Sequence, residues 1–370
     1  MEEANASSSI ALMRYERALE ATVDWLLRSI EHGRGGSCAY FGIWGRWSKP
    51  YPETTGYIIP TLLEYARYSG AEEAHTAALT LGEWLLGLQS DEGYWKGGMH
   101  PPRRSGPSIF NSAQILIGLC ALYRETKDDR WRGAARKGAL WLSQGVGEDG
   151  QWREGNYRQG FNPSYYTRVA WPMLEVWALT QDSRIRGAAE RVLGAILARR
   201  QDNGVFSGWS FDPEKPAFTH TIAYTLRGLL ESARLLGDWE TYGRPAEAAL
   251  ERLFRQAELN RGRLAGAFFE DWKKDARYTC LTGNAQTAIC LLKLEEKRAD
   301  LRLVNAACKL VDEVCGAQAI EHPIPGFRGA VAGSSPVWGR YMMLRYPNWA
   351  AKFHADALML LIKRLRKEGL

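Results

Sequence analysis

Leu281-Thr282-Gly283-Asn284-Ala285-Gln286-Thr287-Ala288 is a small polar cluster that runs straight into an apolar helix. Five other stretches read the same way: Glu53-Thr54-Thr55-Gly56-Tyr57-Ile58, Phe110-Asn111-Ser112-Ala113-Gln114-Ile115, Tyr165-Tyr166-Thr167-Arg168-Val169-Ala170, Phe218-Thr219-His220-Thr221-Ile222-Ala223 and Pro347-Asn348-Trp349-Ala350-Ala351-Lys352. They recur about every 50 to 65 residues, somewhat beyond the commonest helical-repeat periods. Each interval has room for two helices and a loop. Six helix pairs can close into a ring, with the polar helix starts gathered at one mouth.

The helices between these starts have a different pattern. Ile109 to Tyr123 is apolar on nearly all sides, which requires burial all round. Arg184 to Arg200 instead carries Ile185, Ala188, Ala189, Val192, Leu193, Ile196 and Leu197 at helical spacing, with Arg184, Glu190, Arg191 and Arg199 opposite. Arg130 to Leu142 reads likewise, with Trp131, Ala134, Ala135, Gly138 and Trp141 inward. All-round helices alternating with one-sided helices predict two concentric layers. The expected fold class is therefore all-α: a single ring of six helical hairpins over residues 1–370, with residues 1–11 as a loose tail. No Pro/Ser-rich linker or long charge run interrupts it.

Each outer helix is followed by a glycine/aromatic turn. The clearest is Gln89-Ser90-Asp91-Glu92-Gly93-Tyr94-Trp95; related ones are Gln144 with Gly150-Gln151-Trp152 and Gln201 with Gly204-Val205-Phe206. Looser versions are Gly266-Ala267-Phe268-Phe269 and Gln318 followed by Gly326-Phe327. Glycine permits the positive φ that stops a helix, and the aromatic then packs back as a latch. This turn resembles the QW-type repeat of the terpene cyclase and protein prenyltransferase toroids. The same (α/α)6 toroid also serves polysaccharide lyases, uronyl C5-epimerases and glycoside hydrolases. The resemblance runs from about residue 12 to 365 and concerns architecture more than chemistry. The stretch from Gly329 through Trp338-Gly339-Arg340-Tyr341 to Phe353 is similar to toroid proteins encoded among bacterial and archaeal polysaccharide-biosynthesis genes, an associational pointer to glycans.

Bulk properties exclude several classes. Net charge is +6 and the basic residues fall on predicted outer helices, as a solvated face. An acidic glycan or a peripheral membrane surface is the alternative partner for them. No nucleic-acid motif is present. No apolar run reaches transmembrane length, and Met1-Glu2-Glu3-Ala4-Asn5 has no signal-peptide character. Of the six cysteines, Cys120 and Cys290 lie in apolar runs and none forms CxxC, so reduced buried thiols and a cytoplasmic location are expected.

Terpene cyclisation calls for DxDD or DDxxD carboxylates, and only Asp128-Asp129 faintly suggests them. Cys280 and His220 with Asp271 or Asp275 fall short of a zinc set, so no metal or cofactor is expected. Glycan chemistry fits the residue types better. His220 and Tyr224, four apart on a helix, share a face at the mouth and suit proton transfer at C5 of a uronic acid, as base and acid. Asn111, Gln114, Tyr166, Arg168, Asn284, Gln286, Asn348 and Lys352 sit at or near inner-helix starts and suit an acidic sugar. Trp95, Trp152, Trp209, Trp272 and Trp338 lie in turns or loops as candidate sugar platforms, although any one tryptophan there is more often a packing latch. A hydrolase would need two carboxyl groups, for which Glu53, Glu154 and Asp271 are the candidates. The expected ligand is an oligo- or polysaccharide, changed by elimination, epimerisation or hydrolysis. A glycan-binding scaffold without turnover and a terpene-type enzyme are the further alternatives.

Overall fold

The computed structural model describes residues 2–102 and 106–367, with side chains from Ile10 onward. The tail expected over residues 1–11 therefore falls largely outside the described side chains. Among the described residues there are twelve α-helices in two layers. The outer layer is α1 (Glu2–Gly33), α3 (Glu72–Leu86), α5 (Asp129–Gly145), α7 (Ser183–Leu197), α9 (Arg244–Leu259) and α11 (Leu301–Ala317). The inner layer is α2 (Pro52–Ser69), α4 (Ile109–Thr126), α6 (Thr167–Thr180), α8 (Thr219–Leu236), α10 (Leu281–Arg298) and α12 (Asn348–Lys367). Each inner helix packs on the next, and α12 packs on α2, which closes the ring. Helices α2 to α11 pair in sequence, and α1 pairs with α12, so the two chain ends form the sixth hairpin. The fold is the all-α (α/α)6 toroid.

The two layers follow the hydrophobic patterns. On α7 the buried residues are Ile185, Ala188, Ala189, Val192, Leu193 and Ile196, one stripe of the helix. On α4 burial runs from Ile109 through Leu122 on almost every side. The reversals between layers repeat as well. Inner helices end on a left-handed residue, as at Gly70 (φ 75°) and Lys127 (φ 60°). Asp128, Asp182 and Asp300 then cap the next outer helix by accepting from the backbone N–H of Arg130, Arg184 and Arg302. The same arginines pair with those aspartates through their guanidinium groups. Part of the basic charge on the outer helices is thus tied up in helix caps.

The turns after the outer helices are latches. Trp95 and Trp152 are buried and donate from Nε1 to the Leu85 and Leu142 carbonyls at 2.8 and 3.0 Å. Gln89 donates to Gly93 and to Ala134 of the next outer helix. A Cβ on Gly93 (φ 107°) would lie 2.6 Å from the Lys137 carbonyl oxygen, so this turn is pressed against α5. The two looser turns are placed differently from the sequence reading. Gly266 and Gly326 have ordinary φ and abut the rings of Tyr278 and Phe41. The residues that meet the next outer helix with positive φ are Gly262, against Lys309, and Gly329, against Ala21. Longer loops displaced the aromatic from the glycine there, which hid the repeat.

Short strands stitch the loops on the mouth side. β1 (Tyr40–Gly42) pairs antiparallel with β2 (Arg46–Trp47) and with β8 (Arg345–Pro347). β3 (Ala217–Phe218) pairs with β4 (Ala267–Phe268), which pairs with β5 (Lys274–Asp275); β6 (Thr279–Cys280) pairs with β7 (Ser334–Ser335). No helix among the described residues is long and apolar enough to cross a membrane.

Candidate active site at the mouth of the ring

Much of the polar character at the inner-helix starts is spent on the loops. The Thr55 hydroxyl accepts from Ser37 N–H at 3.0 Å, and Ser112 accepts from Trp95 N–H at 3.0 Å. Ser164, just before α6, donates to Ser207 O at 2.6 Å, and Thr219 donates to Ala265 O at 2.5 Å. Asn284 donates to Gly262 O at 2.7 Å, and Asn348 donates to Ser37 Oγ and Thr54 Oγ1, both at 2.9 Å. These groups would otherwise be buried without partners, and loops so anchored hold a fixed rim.

Inside that rim is a pocket of about 290 Å³. Tyr51, Tyr57, Phe110, Tyr157, Tyr165, Phe211, Tyr224, Tyr341 and Trp349 form its walls, and Ser108, Asn111, Glu53 and His220 supply further polar groups. Glu53 sits in the first turn of α2 and is 9% exposed. The Tyr51 hydroxyl donates to its Oε2 at 2.5 Å. Burial raises the Glu53 pKa to about 7, against the opposing pull of the Tyr51 hydrogen bond and the Arg168 charge. His220 is buried, and its pKa is pushed well below the usual histidine value by burial and then by Arg168. Gln286 Nε2 lies 2.6 Å from His220 Nδ1. With the amide donating there, the neutral ring keeps its hydrogen on Nε2. The ring stands 4.2 Å from that of Tyr224 and 5.0 Å from that of Tyr341, centroid to centroid.

Arg168 lies beneath this pocket and is 2% exposed. Its Nε and Nη2 donate to Gln114 Oε1 at 3.2 and 2.8 Å, and Gln114 donates back to the Arg168 carbonyl. The guanidinium stacks 4.6 Å from the Tyr224 ring centroid and 4.8 Å from that of Trp171. Among the described residues it makes no ion pair with a carboxylate. An amide and aromatic faces are weak compensation for a buried cation, so its field reaches the mouth.

The structure thus gathers His220, Tyr224, Glu53 and Asn111 in one pocket, with Gln286, Arg168 and Gln114 directly behind. It does not gather the rest. Glu154 is exposed on its loop, and Asp271 pairs with Lys273 on the exposed β4–β5 turn, so neither joins Glu53 in the pocket. Asn284 and Asn348 are the loop anchors just described, and Tyr166 donates its hydroxyl to Asn156. Lys352 points along the ring axis to Asp356, below the mouth. Trp95 and Trp152 are latches; Trp209 is buried against Trp272, which donates to Asn203 O. Trp338 alone of these five is exposed. The sequence reading did not assign Tyr57, Phe110, Tyr165, Phe211 or Tyr341 to the site. Tyr57 could have been found, four residues after Glu53 on one helix face. Phe211 and Tyr341 come from loops whose path no local pattern gives. No group of three or more His, Cys, Asp or Glu side chains is placed to hold a metal among the described residues.

No family model matches the sequence, and no curated protein sequence matches it. Solved structures do match the fold. An unsaturated glucuronyl hydrolase specific for heparin superposes with a TM-score of 0.76 at 14% identity, over 95% of this chain and 98% of its own. A sugar epimerase from a ruminal bacterium gives 0.77 at 12%, over 95% and 98%. The cellobiose 2-epimerase of Bacillus thermoamylovorans B4167 gives 0.75 at 12%, over 95% and 99%. At such identities the likeness is one of fold, and it spans the whole ring.

Proposed function

We propose that this chain is an enzyme that moves a proton at a carbon of an acidic sugar held in the mouth. The observation that carries the reading is one pocket holding a carboxyl group raised to about 7 and a histidine that burial keeps neutral, above a buried arginine that makes no ion pair with a carboxylate among the described residues. A base poised near the working pH is the most effective one, and the arginine's field favours an anionic ligand. Walls rich in tyrosine suit the mixed apolar and hydroxyl faces of a sugar. Two toroids that share the ring, a glucuronyl hydrolase and a sugar epimerase, support a carbohydrate ligand.

In this reading Glu53 is the base rather than His220. The carboxylate takes the proton from the carbon beside the sugar's carboxyl group, and the electron pair passes into an enolate. His220 Nε2–H and the Tyr224 hydroxyl donate hydrogen bonds to the charge that develops, and Arg168 stabilises it from beneath. Return of a proton from the Tyr224 hydroxyl to the opposite face gives an epimer; departure of the neighbouring oxygen substituent, which takes that proton as it leaves, gives an unsaturated sugar. Hydrolysis by a carboxylate pair is less well supported, since Glu53 is the only carboxylate lining the pocket among the described residues. Six of the nine aromatic walls of the mouth are tyrosines, and they stand beside Glu53 and His220, which argues against a terpene.

The test is incubation with uronate oligosaccharides in deuterated water, followed by NMR for deuterium at C5 and by absorbance near 235 nm for unsaturated product, a wavelength set by conjugation of the new double bond with the carboxylate. Glu53→Gln and His220→Asn are expected to lower turnover by about 100-fold or more, while Glu154→Gln and Asp271→Asn retain it. Turnover that survives both mouth substitutions overturns the assignment.

A further inference from the structure

A second, larger cavity opens close to the mouth. It measures about 580 Å³ against about 290 Å³ for the mouth itself. The end of α9, the segment carrying β5 and β6, and Ser335-Pro336 before α12 enclose it. Arg261, Arg263, Lys274 and Arg277 stand on its walls. Arg340 adds a fifth cation, 3.5 Å from Asp275. Among the described residues two carboxylates answer them in ion pairs: Asp275, at 2.9 Å from Arg277, and Glu313, at 2.9 Å from Arg263. Arg261 makes no ion pair among the described residues, and Lys274 Nζ meets only the amide oxygen of Gln256 among them, at 3.5 Å. Tyr278 lines the same cleft; its hydroxyl is buried, and no hydrogen-bond partner for it is found among the described residues. A buried donor left unmet is unfavourable, and a ligand oxygen would relieve it.

The cleft and the mouth share a wall. Tyr278, Cys280 and Tyr341 form one apolar cluster, and Tyr341 lines the mouth. The loop over residues 336–341 has Pro336 in the cleft and Tyr341 in the mouth. Between them Gly339 is pressed on Tyr278, where a Cβ would approach the Tyr278 Cβ to 2.7 Å. Trp338, on the same loop, is 67% exposed.

We infer that this cleft binds the flanking residues of an acidic glycan whose reacting sugar occupies the mouth. Arg261, Lys274 and Arg277 take its anionic groups, the Tyr278 hydroxyl meets a sugar oxygen, and Trp338 offers a ring face along the way. The substrate class is then an acidic oligosaccharide or polysaccharide rather than a single sugar. The inference rests on the mouth reading for the position of the reacting residue. A long polyanion such as nucleic acid would also feel the charge, but the cleft borders a tyrosine-lined pocket and the loop between the two carries an exposed indole, which suits a glycan.

The test is binding of fluorescently labelled uronate oligosaccharides of two and six residues to the full chain, with a single-stranded oligonucleotide of matched charge as the third probe. The hexasaccharide is expected to bind at least ten-fold more tightly than the disaccharide, and this advantage weakens as salt rises. In the double variant Arg261→Gln/Lys274→Gln the ratio falls toward one. Tyr278→Phe lowers it by two- to five-fold with no change in its salt dependence. Equal binding of both lengths by the wild-type chain, or an unchanged ratio in the double variant, overturns the inference. Tighter binding of the oligonucleotide than of the hexasaccharide also overturns it and reassigns the cleft. Binding is read without turnover, so failure of the Glu53 chemistry leaves this result legible, and failure of the length effect leaves the mouth reading intact.

Discussion

Two buried glutamates at opposite ends of the inner helices behave in opposite ways. Glu53, in the first turn of α2, is raised to about 7; Glu231, in the last turns of α8, is lowered to about 2. Their exposure is similar, 9% and 4%. Burial disfavours both carboxylates, so burial does not separate them. Neighbours do. Glu231 pairs with Arg227 at 2.7 Å and Arg234 at 2.8 Å, and Lys293 adds attraction. Glu53 has a phenol at hydrogen-bond distance and an arginine that acts on it without forming an ion pair. The far end of the ring is built to hold charge in place. The mouth is built to let one proton come and go near neutral pH, which is what a functional carboxyl group requires.

The sharpest way to break this comparison is to make the same substitution at both ends. Glu231→Gln strands Arg227, whereas Arg234 is half exposed and keeps Glu175 at 2.8 Å, so the expected loss is about 2–3 kcal/mol rather than the full cost of a broken buried network. Glu53→Gln at pH 8 is expected to stabilise the chain by about 1–3 kcal/mol, since it removes a carboxylate that burial disfavours. Urea unfolding of the two variants beside the wild type measures both. Equal losses would mean that the two ends are electrostatically alike.

The pH dependence of stability sharpens it further. The folded pKa of Glu53 exceeds its unfolded value of 4.5, so the folded state holds its proton longer. Its contribution is complete below about 4.5 and is lost as pH rises toward about 7. The folded pKa of Glu231 lies below 4.5, so its contribution is present above that value and is lost as pH falls toward about 2. Between pH 5 and 8 the wild type should therefore lose stability relative to Glu53→Gln. A difference that stays flat across this range would show that Glu53 titrates as an ordinary carboxyl group.

The ring was legible in the sequence because its signals are local. The polar starts, the one-sided stripe on α7 and the Gly93–Trp95 turn each follow from spacing within a dozen residues. The site was legible only in part. His220, Tyr224, Glu53 and Asn111 stand in the first turns of inner helices, where the ring geometry sends them to the mouth. Asn284 and Asn348 stand there too, yet they anchor loops at Gly262 and Ser37, partners far from any helix pattern. The tryptophans of the turns were ambiguous for a similar reason: a latch and a platform share a sequence, and only the carbonyl that receives the indole N–H tells them apart. Phe211 and Tyr341 required the loop paths themselves.

The smallest expected effect tests how the two ends communicate. Arg168 lies between them, held by Gln114, and its charge lowers the Glu53 pKa while also depressing that of His220. If Glu53 is the base, kcat/KM rises with pH through about 7 in the wild type. Arg168→Gln removes the attraction, so the midpoint should move upward, by under about one unit at the effective dielectric of a partly buried pair. The maximal rate also falls through loss of ligand contact, but the midpoint reads the field alone. A midpoint that stays in place would mean that the titrating group lies outside the field of Arg168, and Glu53 would then not be the base.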